Sequence, residues 1–182
     1  MAEPDFQPTL ADRLLTLRPL RRDDWDALFT AASDPGVWAG HTNKDRYKEE
    51  IFRPYFEQAI ASKSALSIID NETGAVIGTS RYHDHNADIS EIEIGWTFLA
   101  RQYWGGKYNL AAKRLMLAHA FGFVSTVVFL VATENLRSRK AMTKIGGVPR
   151  PGRYSKTDSS GTHPYLIFEI TEANFRSGPL SE

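Results

Sequence analysis

Residues 91–138 constrain the fold more than any other stretch. Ile92, Ile94, Trp96 and Phe98 alternate with Glu91, Glu93, Gly95 and Thr97, the period of two that marks a β-strand. A turn holding Gly105 and Gly106 follows, and Leu110–Val124, free of acidic residues, predicts a helix. Thr126–Val131 is a β-branched and aromatic run of strand type, and Asn135–Lys144 predicts another helix. The helix makes the crossover to a second, buried and parallel strand. A strand, a glycine turn and a helix N-terminus together make an anion-binding corner. Glu91 and Glu93 put two carboxylates on the strand that leads into it.

The rest of the chain can be read as support for that corner. Residues 1–12 are expected to form a flexible arm, 13–175 the domain, and 176–182 a tail. Arg13–Pro19 reads as a strand, and Arg22–Ser33 as a helix ended by Asp34-Pro35-Gly36. Arg46–Ser62 is a second helical pattern that Pro54 should kink or break. Ala65–Asp70 and Ala75–Tyr82 form a hairpin around Asn71-Glu72-Thr73-Gly74. A polar loop is expected over 83–88 and another over 155–163. Short strands are expected near Val148–Tyr154 and over Tyr165–Thr171. The order predicts one α/β domain with a mixed, mostly antiparallel sheet flanked by helices.

Composition excludes several classes. With 22 basic and 22 acidic residues, the chain lacks the basic excess of a nucleic-acid binder. It has no cysteine, hence no disulfide framework and no thiolate nucleophile. The N-terminus carries acidic residues and prolines where a signal peptide would be basic and then apolar, so a cytoplasmic protein is expected. Leu115–Thr133 is 19 residues without formal charge, but polar interruptions and a change of period near Ser125 favour a buried helix and strand over a membrane span.

Glu93 is the foremost candidate for a general base, because a carboxylate on a central strand is costly unless it is paired or used. Glu91 carries the same argument more weakly; the alternative is that one face is open to solvent or that Arg81 and other basic neighbours pair with both carboxylates. Gly95 inside the strand predicts a bulge or a close backbone approach. Gly105 and Gly106 free main-chain N–H groups to point outward. Lys107 then sets a cation at a helix start, where only a bound anion would favour it. Asn109 and Asn135 are expected as helix caps. His83 and His85 lack a third ligand at fixed spacing, so no metal is expected. No Ser–His–Asp pattern supports a hydrolase.

Taken in order, the motifs resemble the GNAT acetyltransferase superfamily, and within it the ribosomal-protein N-terminal (Rim-type) branch. The resemblance rests on Thr16-Leu17-Arg18-Pro19-Leu20, Ile77-Gly78-Thr79, Glu93-Ile94-Gly95-Trp96, Ala100–Gly105 and Asn135–Ala141 ahead of Lys144–Gly147. It implies a splayed central strand pair and transfer of acetyl from acetyl-CoA to a primary amine, either a small molecule or a peptide N-terminus. It places pantetheine along Trp96, Thr97 and Phe98. The diphosphate falls on Trp104, Gly105, Gly106, Lys107, Tyr108 and Asn109, with Asn135 and Ser138 also at the cofactor. It implies Glu93 as base, with Ser138 meeting the departing sulfur. Lys107 and Asn109 depart from the family's smaller turn residues, and Met142 stands where many members have tyrosine. Trp38, His41, His83, Glu91 and Tyr154 are candidates for the acceptor pocket. A homodimer is left open, and a non-catalytic acyl-CoA-binding domain or a nucleotide-binding module are the alternatives.

Overall fold

The computed structural model describes residues 3–158 and 161–181, Asp158 by its backbone alone. Its sheet begins with β1 (Leu10–Ala11) and β2 (Leu15–Pro19), followed by α1 (Trp25–Ala32), α2 (Pro35–Trp38) and α3 (Glu49–Ala61). The centre comprises β3 (Ala65–Asp70), β4 (Val76–Asn86), β5 (Glu91–Leu99), α4 (Lys107–Ala120), β6 (Thr126–Ala132) and α5 (Leu136–Lys144). The chain ends in β7 (Val148–Pro149), β8 (Tyr154–Asp158), β9 (Gly161–Thr171) and α6 (Glu172–Ser177). The strand order is β1-β2-β3-β4-β5-β6-β9-β7, with β8 also paired to β9. Every pairing is antiparallel except β5 with β6. The chain is therefore the expected α/β domain with a mixed, mostly antiparallel sheet.

The sheet separates two cores. Ile92, Ile94, Met116, Val127 and Phe129 belong to the larger, which α4 covers. Leu28, Trp38, Phe52, Phe56 and Phe98 form the other, under α1–α3. Phe98 was expected on the face of Ile92 and Ile94, and it lies in the opposite core. The cause is a bulge: Arg81 pairs with Gly95 and Thr79 with Phe98, so β5 spends one residue more than β4 over that interval. One inserted residue exchanges the faces of everything after it.

Several boundaries differ from expectation for identifiable reasons. Asp34 caps α2 by accepting from the Gly36 N–H at 2.8 Å, so Pro35 starts a short helix as well as ending α1. Pro54 lies inside an unbroken α3. The 83–86 segment expected as loop extends β4, because His83 pairs with Glu93 and Asn86 with Glu91. Most of the 155–163 loop is the β8–β9 hairpin, with residues 159 and 160 outside those described. Both termini pack against the body. Phe6 contacts His85 and Phe123, Asp12 pairs with Arg114, and Leu180 is 5% exposed in the larger core.

Candidate active site

β5 and β6 are paired only at Glu91–Thr126, Ile92–Val127 and Glu93–Val128, and beyond these residues the parallel ladder ends. A cavity of about 740 Å³ opens there, walled by Ile94–Leu99 on one side and Phe129–Ala132 on the other. The bulge stands at its edge. It follows Gly95, where a bulge or a close backbone approach was expected, and its left-handed residue is Trp96, at φ +50. That conformation costs a non-glycine residue about 1–2 kcal/mol, so neighbours must hold it. On one face the Tyr55 hydroxyl donates to the Trp96 carbonyl at 2.8 Å, and the Arg81 guanidinium lies 4.0 Å from the indole centroid. On the other, Lys113 Nζ donates to Thr97 Oγ1 at 2.6 Å and to Ser80 Oγ at 3.3 Å.

Glu93 is 4% exposed and lines the cavity. Burial holds its carboxyl above the usual range, and Lys156 Nζ, 3.4 Å from Oε2, works in the opposite direction. The space for this carboxylate comes from Gly95: a Cβ there would lie 3.0 Å from Glu93 Oε1. Glycine two residues along the strand thus lets the carboxylate lean toward the bulge.

The far end of the cavity is an uncapped helix start. Gly105 and Gly106 have φ +107 and +118, and α4 begins at Lys107 without any side-chain cap. Its first main-chain N–H groups are therefore left for a ligand or water. The expected Lys107 ammonium turns away onto the Tyr108 ring, 5.0 Å from its centroid. The cation beside the turn is instead Lys144, whose Nζ lies 3.1 Å from where a Gly106 Cβ would sit. Asn109 lies in the first turn of α4, not at its cap, and lines the cavity. Trp104 anchors the wall by donating from Nε1 to the Leu99 carbonyl at 2.8 Å, and Arg137 stacks 3.7 Å from its centroid. Asn135 caps α5 by accepting from the Ser138 N–H, and both residues line the cavity beside Met142.

Of the expected cofactor residues, Trp96, Thr97, Phe98, Trp104, Gly105, Gly106, Asn109, Asn135 and Ser138 meet at the cavity, and the Lys107 and Tyr108 side chains do not. Tyr108 is buried and donates to Asp70 at 2.9 Å. Of the acceptor candidates only His41 lines the cavity. Its imidazole is pushed down to about 3 by burial and by Arg46 and Arg137, so it is neutral. Trp38 is a core residue donating to the Ala32 carbonyl, and Tyr154 donates to the Pro151 carbonyl. Glu91 pairs with Arg150, which also holds Glu169, so the basic neighbour that answers it is Arg150. His83 contacts the edge of Trp96 and pairs with the exposed Asp84. His83, Asp84 and Glu93 bring ligand atoms within 4.8 Å of one another, but Lys156 already sets an ammonium against Glu93.

Sequence reasoning missed Lys113, Tyr55, Arg46, Lys144 and Lys156. Lys113 left a signal, since it falls three and four residues before the buried Met116 and Leu117, on the helix face that enters the core. Fully buried, its ammonium is pushed down to about 7 by desolvation. Lys156 left none, being 63 residues from Glu93 in the chain.

A cleft between parted central strands, with an uncapped glycine turn at one end and a buried carboxylate at the other, distinguishes this α/β domain. Residues 14–148 match the acetyltransferase (GNAT) domain model, and the chain belongs to that family of acetyl-CoA-dependent acyltransferases. A GCN5-related N-acetyltransferase from Brucella melitensis superposes with a TM-score of 0.83 at 18% identity, over 93% of this chain and 80% of the other. RimJ of Mycobacterium smegmatis, solved in complex with CoA-disulfide, gives 0.72 at 18% identity over 99% and 95%. An acetyltransferase from Agrobacterium tumefaciens C58 gives 0.70 at 26% identity over 91% and 95%. No curated protein sequence matches. No helix among the described residues is long and apolar enough to cross a membrane.

Proposed function

We propose that this protein transfers the acetyl group of acetyl-CoA to a primary amine by direct attack within a ternary complex. The observation that carries this reading is a buried carboxylate, Glu93, on the strand whose bulged, parted edge forms the cavity wall. Pantetheine would lie between β5 and β6, taking hydrogen bonds from the strand edge that β6 leaves free. The diphosphate would rest on the main-chain N–H groups at the α4 start, with Lys144 beside it.

The amine arrives as an ammonium, with a reference pKa of about 8 for an α-amine or about 10.4 for a lysine. Glu93, directly or through a water, takes the proton. The freed lone pair attacks the thioester carbon. Main-chain N–H groups at the bulge stabilise the oxyanion, the C–S bond breaks, and the thiolate departs toward Ser138 and takes up the second proton that the nitrogen loses as the amide forms. Lys156 keeps Glu93 ionised more than burial alone would permit. Positioning two bound substrates supplies most of the acceleration.

Thiol release from acetyl-CoA with a panel of small amines and peptides tests the reading. Initial rates should give intersecting lines when both substrates are varied. Parallel lines, or thiol release indifferent to every amine, would remove direct transfer.

A further inference from the structure

We infer that the acceptor carries a carboxylate a few bonds from its amine and that Arg46 binds it; the inference rests on the amine-transfer reading above. The cavity's ionisable lining is lopsided for a chain with no net charge. Arg46, Lys113, Arg137 and Lys156 face it, and among the described residues Glu93 is its one carboxylate. Three of the cations have evident employment. Lys113 holds the Ser80 and Thr97 hydroxyls, Arg137 stacks on Trp104 and donates to the Val37 carbonyl, and Lys156 answers Glu93.

Arg46 has no such partner. Its guanidinium is half-buried, 5.1 Å from the Tyr55 centroid and 5.5 Å from that of Trp38. Among the described residues no carboxylate pairs with it, and its acidic neighbour Asp45 is engaged with Lys48 at 3.0 Å. Its neighbours His41 and Arg81 supply no negative charge, the first being neutral and the second itself a cation packed on Trp96. A half-buried guanidinium with free donors is matched by a planar, bidentate carboxylate. A polyamine would add positive charge where four basic side chains already stand.

The position of Arg46 limits the spacing. Tyr55 presents its ring to Arg46 and its hydroxyl to the Trp96 carbonyl. The guanidinium therefore stands roughly one aromatic ring from the bulge where the amine attacks. A free α-amino acid fits this spacing, as does a peptide whose first residue is Asp or Glu.

The test measures acetyl-CoA-dependent thiol release with matched acceptors: amino acids against their carboxamides, Asp- and Glu-initiated peptides against Asn and Gln ones, and spermidine. Acids should exceed their amides about 10- to 100-fold in kcat/KM, as a charge-assisted pair implies. Which of the two acid sets responds identifies the source. Arg46→Gln should abolish the preference through KM for the acid, leaving KM for acetyl-CoA unchanged, and Arg46→Lys should restore part of it. Amides or spermidine used as well as acids, or a preference that survives Arg46→Gln, would overturn the inference while leaving amine transfer standing. Thiol release with no acceptor at all would remove both.

Discussion

Glu93 is where residue-scale chemistry and local packing meet. Its carboxylate reaches the bulge because residue 95 has no side chain, and its charge is set by burial against Lys156. Glu93→Gln should lower kcat by about 10²-fold or more and change acetyl-CoA affinity little, as isothermal titration would check. A base must be ionised to act, so with a raised pKa the rate should fall with acidity at a pH above the usual carboxylate value of about 4.3. Lys156→Met removes the opposing charge, so that acidic limb should move to higher pH. Gly95→Ala should cost activity more than stability, because the atom it displaces is the carboxylate oxygen. Glu93 and Gly95 were both legible in the sequence, since their types and the strand period are local properties. Lys156 was not, because a partner brought in by a distant hairpin has no signature in spacing.

At the scale of elements, the bulge on β5 does most to shape the cleft. It parts β5 from β6, moves Phe98 into the opposite core and leaves Trp96 in a left-handed conformation held by Tyr55. Tyr55→Phe would orphan a partly buried carbonyl, and should cost about 1–3 kcal/mol in chemical denaturation together with a fall in kcat. Gly78 explains how closely β4 and β5 approach beyond the bulge. A Cβ there would meet the Phe98 carbonyl oxygen at 2.1 Å, so Gly78→Ala should destabilise strongly, by about 3 kcal/mol or more. Strand and helix identities were readable from period and composition. Gly95 marked the bulge in the sequence, but the left-handed residue is the next one, Trp96, because the glycine serves as room for the Glu93 side chain.

For the molecule as a whole, two cores on opposite faces of one sheet support a cleft that runs through it, with Lys113 buried beneath. Below pH 7 that lysine is charged in both folded and unfolded chains, and folding bears its full desolvation. Between about 7 and 10.4 the folded form releases its proton while the unfolded form keeps it, so the penalty fades as pH rises. Lys113→Met should therefore raise Tm at pH 6 and raise it less at pH 9. Equal shifts at both pH values would mean that the amine is not desolvated. The family fold was legible because its motifs keep their order along the chain; Arg46 and Lys156 at its cleft were not, because a turn and a hairpin distant from β5 in the chain bring them there. All of this chemistry depends on where the coenzyme lies. A crystal structure with acetyl-CoA should show the diphosphate on the N–H groups at Gly106 and Lys107 beside Lys144, and the thioester between β5 and β6 within reach of Glu93. Coenzyme bound elsewhere, with that cleft empty, would contradict the account.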